Sequence, residues 1–313
     1  MHAVVIDGGQ LHWQERPDPR AGDHELLVAV RAAGVNSADL AQRDGHYAAP
    51  PGWPPDIPGL EFAGEVVGVG RRVTRFAPGD RVMTLVGGGA QATLATVDEA
   101  HALAVPDGLA WPEAGGFMEA FATAFDALFG QAHLTLGERV LVSGAAGGVG
   151  SAGVQLAALA GAHVVASVRD RARHDAVAAL GAAQLVTPDE AAAGGPYDVV
   201  LELVGAASLP AALEALATTG RIVVIGVGSG ASFELDLLLL MRRRGRILAS
   251  TLRARSRDER AALITALGAK VVPSLAAGRL RVPVHGTFPL SEAALAYERF
   301  AAGAKHGKIV LLA

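Results

Sequence analysis

The spacing of apolar positions changes twice along the chain. Over the first third they come in short alternating runs. Val28-Ala29-Val30-Arg31-Ala32 and Gly64-Glu65-Val66-Val67-Gly68-Val69 predict strands. Asp80-Arg81-Val82-Met83 follows the turn Ala77-Pro78-Gly79, which predicts a hairpin. Pro50, Pro51, Pro54, Pro55 and Pro58 crowd one loop, so the region reads as an irregular, mostly antiparallel β domain. The middle third has near-continuous apolar runs of strand length, expected at 139–143, 163–168, 184–186, 198–202, 221–225 and 246–250. Ala-rich helical stretches such as 150–160 and 172–180 separate most of them. Strands without a polar face are buried on both sides. Six of them with helical crossovers predict a doubly wound parallel sheet, and the fold class is α/β. From about Leu280 short strands return, at 281–284 and 308–312, with Ser291 capping a helix to about Ala302. This tail is expected to complete the first domain. The division expected is 1–118 with 271–313, and 119–270 as the dinucleotide-binding domain.

Composition narrows the chemistry. The chain has 313 residues, 51% hydrophobic and 19% charged, which excludes a disordered chain. It has no cysteine, which excludes a disulfide scaffold, a thiolate nucleophile, an iron–sulfur site and any cysteine-ligated zinc. No histidine pair shows a metal-ligand spacing, so no metal is expected. A net charge of −4 and 5% aromatics argue against nucleic-acid binding. The one basic run, Arg242-Arg243-Arg244-Gly245-Arg246, reads as cations at a helix C-terminus. The apolar stretch 151–168 is broken by Gln155, Gly161 and His163, so no membrane span is expected. Met1-His2-Ala3-Val4 lacks a basic region before an apolar one, so a cytoplasmic location is the expectation.

The most informative stretch is Val140-Leu141-Val142-Ser143-Gly144-Ala145-Ala146-Gly147-Gly148-Val149-Gly150. A strand enters a glycine loop and a helix leaves it, as in a dinucleotide-binding turn. Gly147 would admit a pyrophosphate against the backbone, and Gly150 would let the helix pack on the strand. Gly148 and Val149 complete the cofactor loop, and the helix N-terminus after it supplies amide donors and a partial positive charge for the phosphates. The pattern departs from G-x-G-x-x-G in placing Ala145 at the first glycine. An NAD enzyme carries an acidic residue about 20 residues past the loop. Ser167 stands there instead, followed by Arg169, Arg171 and Arg173. Hydroxyl and guanidinium donors suit a 2′-phosphate, which points to NADP(H), with Ser167, Arg169 and Arg173 as its contacts. The other reading has Asp170 on the ribose and the arginines as a solvated helix start.

These motifs resemble the medium-chain dehydrogenase/reductase superfamily. The cofactor loop is similar, as is Pro58-Gly59-Leu60-Glu61-Phe62-Ala63-Gly64-Glu65-Val66-Val67. Gly34-Val35-Asn36-Ser37-Ala38-Asp39-Leu40-Ala41-Gln42-Arg43-Asp44-Gly45-His46-Tyr47 looks like the zinc-free quinone oxidoreductase branch, which includes zeta-crystallin. Gly87-Gly88-Gly89-Ala90, Ser250-Thr251-Leu252-Arg253-Ala254-Arg255 and Gly307-Lys308-Ile309-Val310 resemble its stress-inducible group. The resemblance covers essentially the whole chain. It implies a GroES-like β domain beside a Rossmann domain, a homodimer joined through the last cofactor-domain strand, and an acceptor bound between the domains. In the zinc-dependent relatives a cysteine ligand stands at the Asn36 position and a histidine ligand at Leu60. Neither residue can rebuild that site.

The resulting expectation is an NADPH-dependent quinone oxidoreductase that works without zinc. Tyr47 would stack on or hydrogen-bond the quinone, and Asn36 would orient the acceptor or serve only as a turn residue. Asp39 reads as structural, a helix cap or an arginine partner. Thr123 would lie near the cofactor or bond its own helix. Val204, Gly205, Gly226, Val227 and Gly228 follow the fourth and fifth strands and would line the nicotinamide side. Ser250, Thr251 and Leu252 would hold the carboxamide, and Lys308 would reach the same cleft or stay a solvated lysine. Reduction of an enone or enal double bond is the rival within the class. A non-catalytic NADPH-binding protein touching RNA is the rival outside it.

Overall fold

The computed structural model describes all residues 1–313. The chain divides into two units, Met1–Glu119 with Leu252–Ala313, and Ala120–Thr251. In the first unit β1 (His2–Asp7) and β2 (Gln10–Glu15) pair as an antiparallel ribbon. The main sheet begins with β3 (Glu25–Val35), β4 (Glu61–Val69), β5 (Arg81–Leu85), β6 (Leu94–Asp98) and β7 (Ala102–Ala104). β4 and β5 form the expected hairpin, with Glu65 opposite Arg81. The core under this sheet holds Leu26, Val28, Val30, Phe62, Val66 and Val82, all at most 2% exposed.

The second unit is built as the apolar runs predict. β8 (Arg139–Val142), β9 (His163–Ser167), β10 (Gln184–Val186), β11 (Tyr197–Glu202), β12 (Leu216–Val224) and β13 (Arg246–Ala249) form one sheet. All its pairs are parallel, and its order is β10-β9-β8-β11-β12-β13. The order reverses between β8 and β11, and ligands of such sheets bind beyond the carboxyl ends of the strands there. Val140, Val142, Val164, Val165, Val199, Val200 and Leu201 are fully buried, which explains the absence of a polar face. β10 and β13 are the edges of the sheet. The helix Leu237–Arg243, which leads into β13, exposes Leu237, Leu238 and Met241, and it ends on Arg242, Arg243 and a left-handed Arg244. Those cations lie at the negative end of a helix.

The tail returns to the first unit with β14 (Val284–Pro289) and β15 (Lys308–Leu312). The sheet order is β14-β15-β3-β4-β5-β7, with β6 also pairing β3. Three expectations need correction. The strand expected at 281–284 begins only at Val284, because Pro283 has no N–H to give the ladder. Ser291 does not cap the last helix. It sits inside a 3-10 turn, Leu290–Glu292, and the helix Ala293–Ala301 starts after it. The boundary expected at 271 lies at Leu252. The helix Arg257–Lys270 docks on the first unit, where His101 Nε2 lies 2.9 Å from Arg257 O and Arg257 Nε lies 2.6 Å from Asp98 Oδ2. No helix is long and apolar enough to cross a membrane.

Candidate active site

In the second unit the loop after β8 turns on Gly144, whose φ is +59°. The left-handed residue thus stands one place before Ala145, so the alanine at the first motif position costs the turn nothing. Gly147, at φ −76° and ψ 176°, is the N-cap of the helix Gly148–Leu159. Ser151 N bonds Gly147 O at 2.8 Å and starts the helical ladder. The N–H groups of Gly148, Val149 and Gly150 therefore have no helical acceptor, and they point out of the positive end of the helix. A Cβ on Gly150 would lie 2.4 Å from Gly144 O and 2.7 Å from Ala145 Cα. The missing side chain is what lets helix and loop touch. The amide cradle fits a pyrophosphate.

The three candidates for the 2′-phosphate differ in availability. Ser167 ends β9 and is 5% exposed. Arg169 is exposed and carries no ion pair. Arg173 is half-buried and pairs with Asp170 at 3.1 Å, while Asp170 also accepts from Ala172 N. Arg171 pairs with Glu190 at 2.6 Å. Arg169 is thus the free cation of the set.

At the ends of β11 and β12 the backbone donors differ in availability. The N–H groups of Val204 and Gly205 are already taken by Glu202 Oε1, at 2.6 and 2.9 Å. Gly226 N bonds Glu202 O at 3.1 Å. These three residues build the loop and have no amide left for a ligand. Val227 and Gly228 remain open, Val227 being 54% exposed and Gly228 facing free space. Ser250 Oγ donates to Asp126 Oδ2 at 2.7 Å, Thr251 is exposed, and Leu252 is buried in the first unit. Thr123 is buried within the helix Met118–Phe125.

The first unit holds a buried polar cluster. Lys308, at the start of β15, is 3% exposed and spends its three ammonium protons internally. Nζ lies 2.6 Å from Glu61 Oε1, 2.5 Å from Asn36 Oδ1 and 3.2 Å from Val35 O. Asn36 Nδ2 donates to the same Glu61 oxygen at 3.0 Å, and Glu119 N donates to Glu61 Oε2 at 2.9 Å. Asp39 accepts from Asn36 N at 2.8 Å and from Gly59 N at 3.1 Å, which makes it a cap of the helix Ser37–Arg43. Burial pushes the Asp39 carboxyl up to about 7, against the lowering pull of the Asn36 N–H and of Lys308. Burial and then the charge of Glu61 push Glu119 up to about 8.

Two expectations change here. Lys308 is neither solvated nor free to hold a cofactor, because all its donors have acceptors. Asn36 is 9% exposed, and both ends of its amide are engaged, so it is a member of this cluster and not an acceptor ligand. The cluster also bears on the zinc of the zinc-dependent relatives. At the Asn36 position it offers one amide and one carboxylate, and an ammonium already neutralises them. The set has no thiolate and no imidazole, and its one carboxylate is already paired with the Lys308 ammonium, so it differs from the three protein ligands that hold a catalytic zinc.

Tyr47 is half-buried and starts the proline-rich loop. The Arg253 guanidinium lies 4.9 Å from its ring centroid and donates to its carbonyl at 2.8 Å. Arg253, Gln42, Glu61, Glu119 and Glu202 were not singled out as site residues by the sequence reading. Glu61 and Glu202 left one weak signal, a carboxylate next to apolar strand residues, which calls for a partner where the strand is buried, and Glu65 and Asp198 on the same strands carry it too.

Comparison with known proteins agrees with this architecture. Residues 22–126 match the alcohol dehydrogenase GroES-like domain, and residues 161–311 match the zinc-binding dehydrogenase domain. The quinone oxidoreductase of Pongo abelii is 30% identical over 307 residues, covering 94% of this chain and 91% of that protein. A mycocerosic acid synthase-like polyketide synthase of Mycobacterium tuberculosis is 33% identical over 301 residues, 93% of this chain. The chain spans only 14% of that synthase. The structure of mycobacterial Rv1454c complexed with NADPH superimposes with a TM-score of 0.89 at 26% identity, covering 100% of both chains. Fold, loop and full-length similarity place the chain in one family: it belongs to the quinone oxidoreductases of the medium-chain dehydrogenase/reductase superfamily.

Proposed function

We propose that the chain is an NADPH-dependent oxidoreductase that reduces a small electron-poor acceptor, in the first place a quinone, without zinc. The observation that carries this reading is the Lys308 ammonium between Asn36 and Glu61. Alcohol oxidation in zinc-dependent relatives needs a Lewis acid to acidify the alcohol. A quinone is electrophilic already and needs proximity and orientation. The nucleotide, when bound, supplies the hydride. The amides of Gly148, Val149 and Gly150 hold its pyrophosphate, and Arg169 holds the 2′-phosphate, in line with the NADPH complex of the mycobacterial relative. Tyr47 offers ring and hydroxyl to the acceptor. Hydride plus a proton from water convert the quinone to its hydroquinone.

The test is NADPH and NADH oxidation with an ortho-quinone and with an enone, with chelator present. Turnover with the quinone, faster with NADPH and indifferent to chelator, supports the reading. Arg169→Ala should raise the KM for NADPH about tenfold or more, since a charge-assisted hydrogen bond is worth about 1.5–3 kcal/mol. The KM for NADH should hardly move. Arg173→Ala should do less, because Asp170 already engages that side chain. Equal effects on both nucleotides would sink the phosphate assignment. Reduction of an enone or enal double bond stays the second reading, because the same site and hydride donor would serve it. There hydride goes to the β-carbon and a proton to the α-carbon, so a saturated carbonyl product selects it. Nucleotide binding without turnover on either acceptor selects the non-catalytic reading.

The same proposal includes a homodimer across the edge strand β13, supported by the exposed Leu237, Leu238 and Met241 of the helix that leads into it. Light scattering at micromolar concentration should read twice the chain mass of 31.9 kDa. A monomer mass would overturn this part alone.

A further inference from the structure

The loop that begins at Tyr47 does little to hold its own ends. Its residues Pro50, Pro51, Pro54 and Pro55 have no N–H, and within it Trp53 N bonds Pro50 O at 3.2 Å, so the carbonyls at the two ends need donors from elsewhere. One guanidinium and one amide supply them. Arg253 is 5% exposed, and each nitrogen of its guanidinium has an acceptor. Nε donates to Gly87 O at 2.9 Å, Nη1 to Tyr47 O at 2.8 Å and Nη2 to Gln42 Oε1 at 2.5 Å. Gln42 passes the contact on, its Nε2 donating to Pro55 O at 3.0 Å. Arg253 and Gln42 together therefore grip the first and last residues of the segment 47–55. The middle is pinned as well, since Trp53 packs so closely on Gly87 that a Cβ there would lie 2.6 Å from the indole nitrogen.

The geometry of this clamp is specific to arginine. A planar fork with five donors can meet three acceptors in fixed directions while its face rests on an aromatic ring. An ammonium at the same place would keep the charge and satisfy fewer of the three. The acceptors come from three separate stretches, the helix Ser37–Arg43, the start of the proline loop and the turn after β5. Their common donor arrives from more than 160 residues downstream. Carbonyl and ring of Tyr47 are both engaged, so the direction of the phenol is set from two sides.

We propose that Arg253 is the positioning residue for Tyr47: it fixes the backbone and ring of the tyrosine and thereby the way an electron-poor acceptor is presented for reduction. The inference rests on the reading of Tyr47 as an acceptor contact. Misplacement of a positioning group by about 1 Å can cost about a hundredfold in rate. Arg253→Lys is therefore expected to lower kcat/KM for an ortho-quinone by about tenfold or more, with NADPH affinity, read from nucleotide fluorescence, unchanged. Gln42→Ala, which frees Pro55 and takes one acceptor from Arg253 but leaves its bonds to Tyr47 and Gly87, should act in the same direction but less. In a Tyr47→Ala background the Arg253→Lys change should add nothing, as expected of two residues acting through one contact.

The outcomes separate the two readings. If Tyr47→Ala leaves kcat/KM for the quinone intact, the Tyr47 reading falls and takes this inference with it. If Tyr47→Ala lowers it and Arg253→Lys does not, the positioning role falls alone. A lowered melting temperature with unchanged acceptor kinetics in both Arg253→Lys and Gln42→Ala would make the clamp structural only and overturn the proposal. Additive losses in the double variant would overturn it too.

Discussion

Lys308→Met is expected to cost the fold about 3–5 kcal/mol, the usual range for removing one partner of a buried ion pair. Met keeps the length and the apolar stem, so the cost is electrostatic. The Glu61 carboxylate, 1% exposed, would face the Asn36 amide and the Glu119 N–H with no cation. Chemical denaturation at fixed pH measures this directly. The loss should also depend on pH. Asp39 and Glu119 keep their protons in the fold up to about 7 and about 8, whereas the unfolded chain releases them near 3.8 and 4.5. The folded state then binds more protons over that window, so stability declines as pH rises through it. Lys308 pulls both groups down. Without it they rise further, the decline deepens, and the cost of Lys308→Met should be larger at pH 8.5 than at pH 6. Adding Glu61→Gln removes the unpaired charge and should recover part of the loss. A single variant as stable as the parent, or a cost that shrinks with rising pH, would refute the description of the cluster.

How much of this was legible in the sequence depended on range. β8, β9 and β11 declared themselves because a strand buried on both faces is apolar along most of its length, a property each strand carries alone, and β10, β12 and β13 through shorter apolar runs. The glycine loop and the helix leaving it were legible for the same reason, since consecutive residues contain the whole motif, although the turn falls on Gly144 and the helix starts at Gly148, two residues before the expected 150. Lys308 was not. At the head of a short strand a lysine reads as solvated or as a ligand for something bound. What decides otherwise is Asn36 and Glu61, 272 and 247 residues away, and no local pattern encodes that meeting. Asn36 was misread with it, because an asparagine before a helix is a common turn residue and nothing nearby shows its amide committed. Arg253 lies outside any regular element and its partners span three segments, so only the fold brings them together. The boundary at Leu252 escaped because an Ala-rich helix such as Arg257–Lys270 looks the same whichever unit it packs on. The phosphate side of the site is thus written locally, and the acceptor side is written in long-range contacts.

That difference predicts a contrast between two glycines of one loop. Gly150→Ala would put a methyl 2.4 Å from Gly144 O and 2.7 Å from Ala145 Cα. Both are backbone atoms and cannot swing aside, so the helix Gly148–Leu159 must move off the strand end. The three open amides move with it. Losing two charge-assisted hydrogen bonds of about 1.5–3 kcal/mol each weakens NADPH binding by on the order of a hundredfold or more. The melting temperature should fall as well, since the helix packs the core of the parallel sheet through Val154, which is fully buried. Gly147→Ala is different. Its φ of −76° suits any residue, and its methyl would meet only Gly144 O at 3.4 Å. That variant should keep the parent melting temperature. If a pyrophosphate lies against the loop backbone at this position, it should still lose nucleotide affinity. Titration of both variants with NADPH, beside their thermal unfolding, therefore separates packing from phosphate approach. Loss of affinity without loss of stability at Gly147 supports a backbone cradle, and unchanged affinity there removes Gly147 from the binding site. Unchanged affinity at Gly150 as well would remove the loop itself from nucleotide binding.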